Sequence, residues 1–281
     1  MTKTAPLASI VILTHDDVDY FEECLQSVRE RTEVPHEIIV VDNASQAPAL
    51  RRLQRLCRRP NIRLIRNAAN RFFAAGNNQG IRAARGRFLV LLNADAVVGP
   101  QWLSRLIAWA EADPQVGLVA PMTNSAPGLQ SASAPSYRGV KDLPKFAWVW
   151  AQAHAGRSRE VHRLIAFCLL IKRELVDRVG LLDERFGPGG YEDYDYCLRA
   201  RQAGYKLLLA EDVFVHHYGA MGYRGVDYSH HRRINREILA RKWSQFVFHA
   251  LDDTDAAGWD LRRSRDEQEL QGRRARRLAA R

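Results

Sequence analysis

The N-terminal half of the chain alternates short apolar runs with segments of helical spacing. The apolar runs, which predict buried strands, are residues 7–13, 37–41, 62–65 and 88–92. The segments of helical spacing, which predict helices, are residues 19–31, 48–58, 76–84 and 100–112. Strands that are apolar throughout and separated by helices are typical of a parallel sheet buried on both faces. The pattern therefore predicts an α/β fold with a Rossmann-like, mostly parallel sheet flanked by helices.

The C-terminal half is less regular. Its predicted strands are residues 116–120, 164–171, 206–210 and 213–216, and its predicted helices are residues 193–202 and 228–251. Residues 122–143 are interpreted as a mobile loop, and the arginine-rich residues 258–281 as a frayed or disordered tail. Because no clean linker interrupts the chain, we expect one domain over residues 1–222 and a basic helical extension over residues 223–281.

Composition narrows the class of protein. The 281 residues are 46% hydrophobic and 26% charged, which excludes a collagen, a coiled coil and a chain that is disordered throughout. The apolar stretches are too short to cross a membrane, and the N-terminus lacks the basic-then-apolar layout of a signal peptide. We therefore expect a cytoplasmic protein whose cysteines, at positions 24, 57, 168 and 197, are reduced.

The charge of the chain favours an anionic partner. The formal net charge is +10, which suits a nucleotide, a phospholipid surface, a nucleic acid or an acidic glycan. The basic residues are not interleaved with aromatics in any nucleic-acid-binding module, so we expect no nucleic-acid partner.

Polar side chains follow three of the predicted strands. They are Thr14, His15 and Asp16 after the first, Asp42 and Asn43 after the second, and Asn93 and Asp95 after the fourth. A single Asp after a strand is common, because Asp favours turns. Three strand ends with such residues predict a ligand site, since ligands bind outside the carboxyl ends of the strands of an open parallel sheet.

The first strand is not followed by a glycine-rich phosphate loop. This absence argues against a dinucleotide dehydrogenase and a P-loop enzyme. A nucleotide diphosphate bound here would need a divalent cation to neutralise its charge, and Asp95 is the natural carboxylate ligand.

Two further clusters carry candidate chemistry. The segment 186–199 contains the carboxylates Glu192, Asp193 and Asp195 at a predicted helix start, where they would either cap the helix or supply a general base. The pair His216 and His217 lies on a predicted strand, so at most one imidazole faces the site. Imidazole would favour Mn²⁺ without excluding Mg²⁺.

These motifs resemble those of the family 2 glycosyltransferases with a GT-A fold, especially the bacterial rhamnosyltransferase-like branch. The resemblance extends from about Ser9 to Gly222. The matching segments, in the family's order, are residues 9–14, 40–45 (Val-Val-Asp-Asn-Ala-Ser), 70–78, 91–95 (Leu-Leu-Asn-Ala-Asp), 192–193 (Glu-Asp) and 215–217.

The resemblance implies an inverting transfer of a sugar from a nucleotide diphosphate to a hydroxyl group. The residues it assigns to the donor are Thr14, Asp16, Asp42, Asn43, Asn70, Asn77, Asn93 and Asp95. It implies that Asp95 and His216 hold Mn²⁺ or Mg²⁺ and that Asp193 is the catalytic base. Glu192 would hold the acceptor or tune its neighbour.

The acceptor implied by the resemblance is a glycan or a lipid-linked sugar, in cell-surface polysaccharide synthesis. Residues 122–143 and 141–163 would shape its site, where Trp148 and Trp150 either stack on sugar or pack in the core. The basic helix at 232–242 is either a solvated face or a peripheral contact with anionic lipid at the inner face of the membrane. The alternatives are a nucleotidyltransferase acting on sugar phosphates and a non-enzymatic protein that binds anions or nucleic acid.

Overall fold

The computed structural model describes residues 6–132, 135–219 and 228–244. The strands are β1 (Ala8–Thr14), β2 (His36–Asp42), β3 (Ile62–Arg66), β4 (Phe88–Asn93), β5 (Ala96–Val98), β6 (Val116–Met122), β7 (Ser158–Val161), β8 (Cys168–Lys172) and β9 (Lys206–His217). The helices are α1 (Val18–Arg31), α2 (Ala47–Leu56), α3 (Phe72–Ala83), α4 (Trp102–Ala112), α5 (Leu143–Ala153), α6 (Arg173–Val179), α7 (Glu192–Gln202) and α8 (Tyr228–Lys242). None of these helices is long and apolar enough to cross a membrane.

The strands form one sheet in the order β3-β2-β1-β4-β8-β6-β9-β5, with β7 also paired to β9. Strands β3, β2, β1 and β4 are parallel, and so are β6 and β9. Strand β8 is antiparallel to both of its neighbours, and β5 and β7 are antiparallel to β9. The predicted α/β class is confirmed, but the sheet is parallel only in its N-terminal half and is mixed beyond β4.

Alternation along the strands builds a core on each face of the sheet. Ile10 and Ile12 of β1 join the core that α1 and α4 cover, whereas Val11 joins the opposite core, beneath α3 and α7. Helix α3 lies close to β1, because a Cβ at Gly80 would come within 2.2 Å of a Val11 methyl group. The glycine therefore fixes the distance between α3 and the sheet.

Several elements differ from the pattern-based prediction. Helix α3 begins at Phe72 rather than at residue 76, and the two late strands are one continuous β9. Strand β5, helix α5, strand β7 and helix α6 were not predicted, because three of them have seven residues or fewer and α5 is apolar on most sides. Helix α5 also follows directly on the segment interpreted as a loop.

The C-terminal part of the chain is described only over α8. The proposed boundary at 222/223, the continuation of the helix to 251 and the tail over 258–281 lie outside the described residues. Within α8, Leu239 is buried together with Trp243, the residue that follows the helix, against Phe186 and Tyr194. Helix α8 is therefore packed on the fold and is not a detached extension. All four cysteines are buried free thiols.

Candidate functional site

The parallel half of the sheet brings three predicted site residues to one edge. Thr14 is opposite Asp42 in the β1–β2 pairing, and Leu13 is opposite Asn93 in the β1–β4 pairing. Thr14, at the end of β1, is buried, and its hydroxyl oxygen has no hydrogen-bond partner within the described part of the chain. This hydroxyl is free to contact a ligand at the sheet edge.

The turn after β2 is held by side-chain hydrogen bonds. The Asn43 Oδ1 atom accepts from Asn67 Nδ2 (2.9 Å) and from the Arg71 backbone N–H (3.3 Å), and its Nδ2 donates to the Phe72 carbonyl (3.2 Å). The Asp42 carboxylate accepts from the Ser45 N–H at 3.0 Å. These bonds tie the strand end to the segment that begins α3.

Three other residues predicted to bind the nucleotide-sugar donor, Asp16, Asn70 and Asn77, also make hydrogen bonds within the chain. The Asp16 carboxylate accepts from the Gln46 N–H (2.6 Å), and Asn70 Oδ1 accepts from the Phe72 N–H (2.8 Å). Asp16 and Phe72 both have left-handed backbone angles, with φ of 61° and 63°. Asn77 is buried, and its amide donates to the carbonyl of Phe73 in its own helix (3.0 Å), so in this structure it supports α3.

The carboxylate of Asp95 meets the imidazole of His217. The His217 Nε2 atom is 3.2 Å from Asp95 Oδ1 and 3.3 Å from Asn93 Nδ2. The other ring nitrogen, Nδ1, is 2.8 Å from the Ser125 carbonyl, which accepts its proton, so Nε2 is the nitrogen that faces Asp95. Burial opposes protonation of His217, but the hydrogen bond and charge of Asp95 outweigh it and raise the pKa of His217.

His217, rather than the predicted His216, occupies this position. Strand alternation sends the two imidazoles to opposite sides, and the Nδ1 atom of His216 is hydrogen-bonded to the Tyr137 hydroxyl. Burial lowers the pKa of His216. The structure therefore places His217, and not the predicted His216, beside the Asp95 carboxylate.

Asp95 and His217 fit a divalent cation. One carboxylate oxygen and one imidazole nitrogen converge, and a backbone carbonyl orients the imidazole through its other nitrogen, as is usual for metal-bound histidine. Within the described ranges no group of three or more His, Cys, Asp and Glu side chains that could hold a metal occurs. The remaining ligands would have to come from substrate oxygens or water.

Glu192 and Asp193 begin helix α7 and are both buried. Burial, and then the charge of Asp193, raise the pKa of Glu192, whose Oε2 atom has no hydrogen-bond partner in the described residues. Burial also raises the pKa of Asp193, against the lowering effect of the Arg163 guanidinium. The Asp193 carboxylate accepts from the Tyr194 N–H (2.9 Å) and the Ala166 N–H (3.4 Å). A carboxylate with a raised pKa is suited to proton transfer near neutral pH.

The segment before β8 joins the two clusters. Ala166 contacts Asp193 through its N–H, and the next residue, Phe167, stacks on the His217 ring with centroids 4.9 Å apart. The Phe167 carbonyl also accepts from the Asn93 N–H at 2.8 Å. The metal-side pair and the acidic pair therefore lie on either side of two adjacent residues.

Asp195 differs from its acidic neighbours. It is fully buried and accepts from Arg199 Nε (2.9 Å) and Trp243 Nε1 (2.9 Å), while Lys242 Nζ lies 2.7 Å away. These partners satisfy its charge, so it supports α7 and is not a second base.

The two tryptophans of α5 have different environments. Trp150 packs against Phe146 and Phe214 and donates through Nε1 to the Glu211 carbonyl (2.8 Å), whereas Trp148 is 54% exposed. A pocket of about 210 Å³ lies between the 127–130 segment and the end of β7, and its lining includes Gln130, Arg159 and Arg163. It lies beside the residues that contact Asp193.

Sequence reasoning missed Arg163, Phe167 and Ser125. Arg163 and Ser125 lie in irregular backbone between elements, where the hydrophobic pattern predicts nothing, and Phe167 falls within the predicted strand 164–171 but lies in the turn before β8. The missed polar residue of α8, Asn235, carried a weak signal, as an amide on the face of the helix that also holds Leu239.

Comparison with known proteins agrees with this geometry. The sequence model of glycosyl transferase family 2 matches residues 9–180. The uncharacterized protein y4gI of Sinorhizobium fredii is 31% identical over 260 residues, and the match covers 86% of this chain and 28% of that protein. The N-acetylglucosaminyl-diphospho-decaprenol L-rhamnosyltransferase of Mycobacterium tuberculosis is 25% identical, with 92% of this chain and 87% of that protein covered. The chain thus spans less than a third of the first relative.

A solved structure shares the fold. The mannosyltransferase PcManGT from Pyrobaculum calidifontis, in complex with GDP-Man and Mn²⁺, superposes with a TM-score of 0.59 at 23% identity. The superposition covers 83% of this chain and 61% of that chain. This likeness shows a GT-A architecture.

Proposed function

The chain belongs to glycosyl transferase family 2, and from this premise we propose that it is a metal-dependent, inverting glycosyltransferase. It transfers a sugar from a nucleotide diphosphate to a hydroxyl of a glycan or lipid-linked acceptor. A lipid-linked acceptor is supported by the name of the mycobacterial relative, which describes transfer to a diphospho-decaprenol-linked sugar.

One observation carries this proposal. The Asp95–His217 pair and the Glu192–Asp193 pair flank two adjacent residues, Ala166 and Phe167. An inverting displacement needs a group that stabilises the leaving diphosphate and a base for the incoming hydroxyl in one site. The two pairs supply these two functions.

Asp95 and His217 are the residues that would hold Mn²⁺ or Mg²⁺. When bound, a divalent cation supplies Lewis-acid stabilisation of the negative charge on the diphosphate. This chain contributes the orientation of the site, through the Ser125 carbonyl on His217 and the stacking of Phe167. The Mn²⁺ in the structure of PcManGT is consistent with a cation in this fold.

Asp193 is the proposed base. Its carboxylate takes the proton of the acceptor hydroxyl, and the oxygen forms a bond to the anomeric carbon. The bond from that carbon to the diphosphate oxygen breaks, and its electron pair leaves with the nucleoside diphosphate. Burial raises the pKa of Asp193, which strengthens it as a base while Arg163 keeps it ionised.

The acceptor is proposed to enter beside Asp193. The pocket lined by Gln130, Arg159 and Arg163 opens there, and it lies within the predicted acceptor segments 122–143 and 141–163. A cytoplasmic location and the contact of α8 with anionic lipid remain predictions. The exposed cations Arg233, Arg236 and Arg241 on α8 are the residues for that contact.

The family match and the paired acids favour a glycosyltransferase over the two alternatives. A nucleotidyltransferase acting on sugar phosphates would show a glycine- and lysine- or arginine-rich loop after β1, where this chain has Thr14, His15 and Asp16. A binding protein for anions or nucleic acid has no need of a buried acidic pair with raised pKa values.

The proposal is tested by thermal shift with a panel of nucleotide sugars, each with and without Mn²⁺. A ligand that binds only the folded state at about 100 times its dissociation constant stabilises by about 2.7 kcal/mol. We expect one diphospho-sugar to raise the melting temperature by several degrees with Mn²⁺ and little without it, and Asp95→Asn to abolish the difference.

Product analysis then tests the transfer itself. With the donor identified by thermal shift, the anomeric configuration of the product is read by nuclear magnetic resonance. Inversion supports the proposed single displacement, and retention contradicts it. If Mn²⁺ changes the binding of none of the nucleotide sugars, the result contradicts the proposal that the enzyme depends on a metal.

A further inference from the structure

Helix α8 packs against the segment that carries the two acidic residues. Leu239 is fully buried and Trp243, at the end of the helix, is nearly so, in a cluster with Phe186, Tyr194 and Leu198. Both α8 and the Glu192–Asp193 pair lie beyond residue 180, where the match to the family model ends. The contact between them is therefore not part of what that match describes.

The side chain of Asn235 is the centre of this contact. Its Nδ2 atom lies within hydrogen-bond distance of the carbonyls of Phe186 (2.6 Å), Gly189 (2.9 Å) and Gly190 (3.1 Å), so its two hydrogens serve three acceptors and one of them is shared. Only the nitrogen of an amide can face three carbonyl oxygens, which fixes the orientation of the group. Asn235 is 3% exposed, so these bonds form away from competing water.

The loop that Asn235 holds would otherwise have wide conformational freedom. Gly189 and Gly190 have φ values of 131° and 93°, and Tyr191, which precedes the acidic pair, has a φ of 76°. Glycine loses the most backbone freedom on ordering, and the left-handed region is unfavourable for tyrosine because of its Cβ atom. A loop of this kind keeps one conformation only when contacts from outside it determine that conformation.

The other end of α8 holds the first turns of α7. Lys242 Nζ lies 2.7 Å from Asp195 Oδ1 and 2.7 Å from Asp183 Oδ2, and Trp243 Nε1 donates to Asp195 Oδ1 at 2.9 Å. Asp195 follows Asp193 by two residues on the same helix. The acidic pair is thus fixed from both sides by one element.

We infer that α8 is a brace for the acidic pair and that Asn235 is a positioning residue for the base. The amide sets the path of residues 186–190, and this path sets where Glu192 and Asp193 enter the site. The inference rests on the proposed function, because it assigns Asn235 a role in transfer through Asp193. Asn235 itself touches neither substrate nor metal in this account.

The experiment compares Asn235→Leu with two controls in the full chain. Leucine has the same branching at Cγ but donates no hydrogen bond. Glu237→Gln changes an exposed side chain of α8 two residues from Asn235, and Leu239→Ala loosens the packing of α8 without removing the amide. If Asn235→Leu does not fold, Asn235→Ser replaces it, because the shorter hydroxyl cannot span the three carbonyls.

Four quantities are measured for each variant. They are kcat at saturating substrates, the donor affinity by calorimetry with Mn²⁺, the melting temperature, and hydrogen exchange of residues 186–193. For Asn235→Leu we expect faster exchange in that segment, a fall in kcat of about tenfold or more, and a donor affinity changed by less than about twofold. Leu239→Ala lowers the melting temperature with a much smaller loss of kcat, and Glu237→Gln leaves all four quantities at the parent values.

The outcomes separate the brace from the proposed function. An unchanged kcat, or exchange no faster than in the parent, overturns the positioning role of Asn235. Equal losses of kcat in Asn235→Leu and Leu239→Ala, in step with melting temperature, also overturn it, since they show only structural support. If the parent transfers no sugar while Asn235→Leu still speeds exchange, the proposed function fails and the brace stands as a structural contact only.

Discussion

The proposed donor side and the proposed catalytic side of the site are held in opposite ways. On the donor side, the side chains of Asp42 and Asn43 form hydrogen bonds with neighbouring backbone and side-chain groups. On the catalytic side, Glu192 and Asp193 are buried, both pKa values are raised, and one Glu192 oxygen has no partner in the described residues. The donor side gains rigidity from its polar groups, whereas the catalytic side keeps its acids reactive at a cost in stability.

The sharpest test of this contrast is Asp193→Asn. Loss of the carboxylate that accepts the proton should lower kcat by roughly 10²–10⁴-fold, because general-base catalysis is worth that much. Calorimetry with donor and Mn²⁺ should show an affinity within about twofold of the parent, since the donor side is unchanged.

The exposed carboxylate of Asp177 on α6 supplies the matched control. Asp177→Asn should leave both transfer and donor affinity at the parent values. Near-parent turnover in Asp193→Asn would remove Asp193 as the base, and a large loss of donor affinity would show that the two sides are not separate.

The second test compares the adjacent histidines. His217→Ala should raise the Mn²⁺ concentration needed for half-maximal activity by about 10–100-fold, because it removes an oriented ligand beside Asp95. His216→Ala is the control of equal size and should change that concentration by less than about threefold. Metal titrations of initial rate measure both, and a reversed order would restore His216 as the metal-facing residue.

A smaller effect is expected from Arg163→Gln. The guanidinium lowers the pKa of Asp193, so its removal raises that pKa and leaves the base protonated to higher pH. The acid limb of the pH profile of kcat/KM should therefore move up by about half a unit to one unit. Arg159→Gln, in the same pocket, is the control, and an acid limb that stays or moves down would contradict the coupling.

The smallest expected effect is on stability, from Glu192→Gln. A carboxylate whose pKa is raised on folding stabilises the fold below its unfolded pKa, and that contribution is lost as pH rises through the folded value. The variant should therefore gain stability over the parent as pH rises, by about 1–3 kcal/mol near pH 8 and by less near pH 5. Denaturant titrations at both pH values measure this, and Asp177→Asn again serves as the control. A gain in stability that is largest at low pH would contradict the conclusion that folding raises the pKa of Glu192.

The sequence predicted which strand ends meet at one edge of the sheet, and the reason is physical. Strands β1, β2 and β4 are buried on both faces and read as continuous apolar runs, so the polar residues at their ends stand out. The alternation of strands and helices was therefore enough to place Thr14, Asp42 and Asn93 on one edge of the sheet. Asn77 shows the limit, because residue type alone does not reveal that its amide bonds to its own helix.

The catalytic side was predictable only in its residue types. The Glu192–Asp193 motif was visible, but the Ala166 N–H that contacts Asp193 and the helix α8 that packs against Tyr194 are far from it in sequence. The choice between His216 and His217 depends on the register of β5 against β9, where Ala96 pairs with His217. A one-residue change of register exchanges the two faces, and no local pattern fixes it.

The segment Ala166–Phe167 has a consequence for how donor and acceptor communicate. One residue contacts the base and the next contacts the metal-side histidine, so a displacement of this short peptide moves both ends. Thermodynamic reciprocity then requires that whatever donor occupancy does to acceptor affinity, acceptor occupancy does equally to the donor. Substitutions at Phe167 should accordingly change the cooperativity between the two substrates.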